Sequence, residues 1–142
     1  MTHIVLDTNV LVSGMINAAG PPGRIVDLIR EGLVELVVDD RILAEYDEVF
    51  NRPKFHPYFD SHDVRDIIVF LEQNACYTVS TTQAVDLPDP DDAPFLEVAL
   101  TAAVPLVTGN TSHYPAHYRR QVSIYTPAVF MTALMGKLKV ES

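Results

Sequence analysis

The sequence predicts an α/β fold, a three-layer α/β/α sandwich around a mainly parallel sheet of about five strands. Two observations point there. Short apolar runs alternate with longer segments whose apolar residues recur every three to four positions, the rhythm of strand–helix–strand units. The strand-like runs, Ile4-Val5-Leu6 and Val34 to Val38 among them, are mostly apolar without alternation, as strands covered on both faces are.

Taken in order, Ile4-Val5-Leu6 is closed by Asp7-Thr8-Asn9 and reads as a central strand. Pro21-Pro22-Gly23 opens a helix carrying Ile25, Val26, Leu28 and Ile29, stopped by Gly32. Val34 to Val38 is the second strand, and Asp39 or Asp40 caps a helix with Ile42, Leu43, Tyr46, Val49 and Phe50 inward. Arg52-Pro53-Lys54 ends that helix. A polar, aromatic loop then runs to Ser61, the expected N-cap of a helix with Val64, Ile67, Ile68 and Leu71 on one stripe. A short strand is expected around Cys76 to Val79, and Asp86-Leu87-Pro88-Asp89-Pro90-Asp91-Asp92 is a proline-broken acidic loop. From Asp92 the pattern is helical through Phe95, Leu96, Ala99 and Ala103, and Val104 to Thr108 gives a strand ending at Gly109-Asn110. Val122 to Tyr125 is the fifth strand. Thr126-Pro127 opens the last helix as N-cap and first-turn proline, with Phe130, Ala133, Leu134 and Leu138 inside.

With 142 residues, 48% of them apolar and 20% charged, and with no repeat or linker, residues 1–142 are expected to form a single domain. No apolar run approaches the roughly 20 residues of a membrane span. The N-terminus lacks a basic region and turns polar at Asp7, so no secretory leader is expected and the expected location is the cytoplasm. Cys76, the single cysteine, has no zinc-ligand spacing around it and is expected to pack in apolar surroundings. Nineteen acids against ten bases give a net charge of −9, which opposes a broad electrostatic grip on phosphates. For a chain of this charge to act on nucleic acid, its carboxylates would have to hold divalent cations and a few local Arg residues position the strand.

The acids fall where that chemistry needs them. Ligands of parallel sheets bind beyond the carboxyl ends of the strands. Asp7 closes the first strand, Asn110 follows the fourth, and Asp92 begins the helix leading into the fourth. Glu45 sits within a helix, three residues after Ile42 and four before Val49, against the apolar stripe, where a carboxylate is costly unless paired or metal-bound. Each has a purely structural reading as well. Asp7 and Asn9 can form an Asx turn, Asp92 a helix cap, Asn110 a left-handed turn, and Glu45 an ion pair with Arg41 or Arg24. Together they form an oxygen donor set suited to Mg²⁺ or Mn²⁺.

Four segments carry a family resemblance: Val5-Leu6-Asp7-Thr8-Asn9-Val10-Leu11-Val12-Ser13-Gly14, Glu45-Tyr46-Asp47-Glu48-Val49, Asp89-Pro90-Asp91-Asp92-Ala93-Pro94-Phe95-Leu96-Glu97-Val98-Ala99, and Leu106-Val107-Thr108-Gly109-Asn110. In this order they resemble the four blocks of a PIN domain, across nearly the whole chain. The likeness is to stand-alone prokaryotic PIN proteins of toxin–antitoxin pairs. It implies a Mg²⁺- or Mn²⁺-dependent endoribonuclease that hydrolyses RNA phosphodiester bonds, with a small antitoxin protein as partner. Asp7, Glu45 and Asp92 match the first three acids of the family site and are the implied catalytic and metal-binding residues. Asp7 and Asp92 would ligate metal, while Glu45 would activate water or ligate metal itself. Asn110 stands where the family more often has Asp, so the site carries one negative charge fewer.

Thr8, Asn9, Ser13 and Thr108 can support the acids or the substrate through hydroxyl or amide hydrogen bonds. Asp89 and Asp91 flank Asp92 and read as a solvated acidic loop, with added charge or a water-mediated ligand as the alternative, and Arg119-Arg120 and Arg52 with Lys54 read as surface charge, with a grip on an RNA backbone as the alternative. His56, His62, His113 and His117 lack zinc-ligand spacing; His113 follows Asn110 closely enough to approach a substrate. Tyr114 and Tyr118 read as packing residues. The apolar last helix and acidic edge positions suggest a homo-oligomer. The competing function is a non-catalytic PIN-like module that binds RNA or protein through a degraded metal site, which Asn110 would herald. A phosphoacceptor role for Asp7 is disfavoured, because Asn9 stands where that chemistry commonly wants a second Asp.

Overall fold

The structure, a computed structural model, describes the backbone of residues 1–141 and side chains through Lys137. Five parallel strands form one sheet in the order β3-β2-β1-β4-β5: β1 Thr2–Leu6, β2 Val34–Val38, β3 Cys76–Tyr77, β4 Leu106–Val107 and β5 Ile124–Tyr125. Seven helices are described: α1 Thr8–Ile16, α2 Pro21–Arg30, α3 Asp40–Phe50, α4 Ser61–Asn74, α5 Ala93–Ala102, α6 Ala116–Arg119 and α7 Pro127–Glu141. This is the expected α/β sandwich.

β1 pairs with β2 along one edge, Ile4 opposite Leu36, and with β4 along the other, Leu6 opposite Val107. Chain order therefore reverses direction at the β1–β4 seam. Ile4, Val5, Leu6, Leu106 and Val107 are all fully buried, the reason their sequences show no polar alternation. Among the described residues, no helix is long and apolar enough to cross a membrane.

Several elements differ from expectation. α1 has no counterpart in the sequence reading. It is buried at Thr8, Val10, Leu11, Val12 and Gly14, hence on most of its circumference, and so lacks the 3.6-residue signature of a half-exposed helix. Gly14 lets it approach α2 closely, because a Cβ there would lie 2.5 Å from the Pro22 carbonyl oxygen and 2.6 Å from Val26 Cγ2. The N-cap of α4 is Asp60, not Ser61: Asp60 accepts from the Asp63 amide while Asp63 accepts from the Asp60 amide, a reciprocal capping box.

β3 ends at Tyr77 and lies at the sheet edge, so Cys76 is exposed rather than packed. The fourth and fifth strands are two residues each, shorter than the apolar runs that suggested them. Ala103 caps α5 with φ 56° instead of continuing it. In α7 the Thr126 hydroxyl caps the Val129 amide as expected, Phe130 and Leu134 are buried and Ala133 is exposed. The side chain of Leu138 lies outside those described.

Candidate active site at the carboxyl edge of the sheet

Asp7 leaves the end of β1 and is only 8% exposed. Its amide donates to the Val107 carbonyl at 3.0 Å, which fixes it at the seam. Its position is the N-cap of α1, yet its side chain makes no capping hydrogen bond. Oδ2 instead accepts from Thr108 Oγ1 at 3.0 Å across the seam, and Thr108 is 1% exposed. Burial raises the Asp7 pKa above its ordinary 3.8. The Thr108 hydroxyl, the Asn9 and Thr8 amides and the His113 charge oppose that rise.

Glu45 is half-buried on α3. Neither Arg41 nor Arg24 pairs with it. Arg41 is bound to Asp39 at 2.8 Å and to Glu97 at 2.7 Å, and Glu45 Oε2 accepts from the Thr8 hydroxyl. Thr8 follows Asp7 directly and is buried, so this bond brings α3 to the end of β1. Tyr46, the next residue, reinforces the junction by donating its hydroxyl to the Leu6 carbonyl at 2.6 Å. Burial again raises the Glu45 pKa. The Thr8 hydroxyl lowers it, and the charges of Asp7, Asp91 and Glu48 add to the rise.

Asp92 precedes α5 at the end of a 3-10 turn, Pro90–Asp92. Its carboxylate does not cap the helix but faces His113 Nδ1 at 3.2 Å. Burial raises its pKa, the hydrogen bond to His113 lowers it, and the charges of Asp89 and Asp7 raise it further. Asp7 thus lies within electrostatic reach of both Glu45 and Asp92. The acids come from three separate parts of the chain. Burial makes all three reluctant to ionise, and neighbouring acids add to this at Glu45 and Asp92.

The supporting residues divide. Thr8 and Thr108 each hold an acid. Asn9 and Ser13 are exposed, one turn apart on α1, and among the described residues neither side chain hydrogen-bonds an acid. Asn110 is exposed with φ −122°, which excludes the left-handed turn, and its amide donates to Thr108 Oγ1 at 3.2 Å. His113 and Asp91 matter more than the sequence suggested, one touching Asp92 and the other acting on Glu45. The only cue was their nearness in sequence to Asn110 and Asp92. Tyr118 is structural, its hydroxyl accepting from the Val85 amide at 2.8 Å and donating to the Val85 carbonyl at 3.1 Å.

The donor set of carboxylates and hydroxyls is hard, with one imidazole beside it, and fits Mg²⁺ or Mn²⁺ rather than a soft metal. Arg41 and Arg52 are ion-paired with other acids, although Arg52 still feels the charge of Glu45, and among the described residues His113 is the basic side chain in contact with one of the three, Asp92. Among the described residues, no three His, Cys, Asp or Glu side chains are close enough as posed to grip one ion.

A family model described as PIN domain matches residues 3–112. The uncharacterized protein MJ1680 of Methanocaldococcus jannaschii is 30% identical over 109 residues, covering 75% of this chain and 70% of that protein. Two solved structures share the fold. One is a domain of a functionally unknown protein from Methanocaldococcus jannaschii DSM 2661, with TM-score 0.53, 16% identity and coverage of 89% of this chain and 91% of that one. The other is VapBC2 from Rickettsia felis bound to a DNA fragment from their promoter, with TM-score 0.53, 13% identity and coverage of 87% and 97%.

Proposed function

The chain belongs to the PIN domain family, and on that premise we propose that residues 1–142 act as a metal-dependent endoribonuclease with Asp7, Glu45 and Asp92 as its catalytic carboxylates. The observation that carries this reading is their shared electrostatic condition. Three acids around the end of β1 have pKa values raised by burial and, for Glu45 and Asp92, by neighbouring acids, with His113 relieving Asp7 and Asp92 and the ion-paired Arg52 acting on Glu45. A site so poor in countercharge gains most from a divalent cation.

Asp7 and Asp92 would hold Mg²⁺ or Mn²⁺. When bound, the cation would supply charge neutralisation on the phosphate and a lowered pKa for a coordinated water. Thr108 fixes the Asp7 carboxylate and His113 that of Asp92. Glu45, with its pKa raised and its orientation set by Thr8, suits acceptance of a proton from the attacking water. Asn9 and Ser13, exposed on α1 beside the site, are positioned for substrate contact rather than for support of the acids.

The Rickettsia felis neighbour is a complex with DNA, and its fold likeness supports looking for an antitoxin-like partner here. Self-association belongs to the same reading, and light scattering reads it directly. The deciding experiment incubates the protein with fluorescent single-stranded RNA and, separately, the matching DNA, in Mn²⁺, Mg²⁺ or EDTA. Metal-dependent cleavage of RNA, lost in Asp7→Asn and Asp92→Asn, is the expected result. No cleavage, together with a melting curve that neither cation moves, would favour the non-catalytic module.

A further inference from the structure

The turn after β4 carries a residue that the scheme above leaves idle. Tyr114 directly follows the 3-10 turn Thr111–His113, and its side chain is 1% exposed. Its hydroxyl is the one buried side-chain polar atom, among the described residues, without a hydrogen-bond partner. The hydroxyls of Thr108 and Thr8 are spoken for, donating to Asp7 and Glu45, and His113 faces Asp92. Tyr114 has no such partner, although Asp92, Asp7, Asp89 and Glu45 all act on its hydroxyl, which burial first and then these four charges keep protonated. It is a buried donor without an acceptor, in the field of these acids.

A buried hydroxyl without a partner costs stability that a phenylalanine would not. Its complement must accept from Tyr114 and donate to carboxylates at the same time. A water molecule does both, whereas a phosphate oxygen or a cation does only one or neither. Resting on the nuclease reading, we propose that Tyr114 is a positioning residue whose hydroxyl holds a water molecule among the carboxylates of Asp92 and Asp7. The water accepts from the phenol and donates to the acids, which leaves one lone pair of fixed direction. Such a water is placed to serve the hydrolysis.

The test is Tyr114→Phe, which keeps the ring and removes only the donor. Loss of a fixed donor to the water should lower kcat about tenfold while KM stays within about twofold. A structural role would not produce that split. The second readout needs no activity. Tyr114→Phe, Asp92→Asn and the double variant are melted in EDTA, where a bridging water makes the two single shifts non-additive. Wild-type kcat in Tyr114→Phe together with additive melting shifts would overturn the proposal. Should wild type cleave no RNA while the shifts remain non-additive, the water stands and the nuclease reading falls.

Discussion

The Thr8 hydroxyl donates to the Glu45 carboxylate across 37 residues of sequence, tying the start of α1 to the middle of α3. Thr8→Val keeps the shape and removes the donor. Glu45 should then be harder still to ionise, and stability at neutral pH should fall by about 1 kcal/mol, the low end for a hydrogen bond to a charged group because Glu45 is half-exposed. In the nuclease the acid limb of the pH–rate profile should move to higher pH. Urea unfolding and a pH–rate series read the two effects separately.

The three acids give the metal-free protein a distinctive response to acid. Asp7 and Asp92 lie above their ordinary 3.8 and Glu45 above 4.5, so the folded chain binds these protons more tightly than the unfolded one. Their contribution is complete below those ordinary values and is lost as pH rises through the raised ones. The melting temperature in EDTA should therefore rise as pH is lowered from neutrality into the ordinary carboxylate range. Asp7→Asn should flatten that rise and increase stability at pH 7. A fluorimetric melting series for both proteins provides the check.

Asn110→Asp restores a fourth carboxylate next to Thr108. Because the side chain is exposed, little apo stability should be lost, while the Mn²⁺ concentration for half-maximal cleavage should fall by a few fold. Identical metal dependence in the variant and wild type would remove position 110 from the site.

Gly14→Ala probes the platform beneath the acids. The added methyl meets the Pro22 carbonyl, a backbone group that cannot turn aside, and overpacking of this kind costs about 1 to 3 kcal/mol. Calorimetry should show the loss. Displacement of α1 should also weaken the Thr8–Glu45 bond and reduce cleavage more than the stability loss alone explains.

The outline of the sheet was readable because strands covered on both faces need runs such as Ile4-Val5-Leu6, and α2 and α3 because they bury one stripe each. α1 was not, since a helix buried around most of its circumference has the composition of a strand. Asp60 displaced Ser61 as the cap through Asp63, a choice between adjacent capping residues that only the reciprocal bond decides. At the site, the four resemblance blocks picked out the acids, but not what surrounds them. His113 and Tyr114 depend on how a short turn folds back over the β1–β4 seam, and no periodicity announces that. For Asn9 and Ser13 residue type allows support of the acids or contact with a substrate, and the direction of α1 turns both outward.

The seam itself sets a schedule. β1 is made first but keeps one edge bare until Leu106–Val107 arrive, and the Thr108–Asp7 bond then spans 101 positions. A chain still emerging from the ribosome carries Asp7 and Glu45 early, yet it has neither Asp92 nor the strand that holds Asp7 in place. The site is thus assembled only after Thr108 has been made. Whatever chemistry the three acids share therefore waits for the segment that carries Thr108, 101 positions after Asp7.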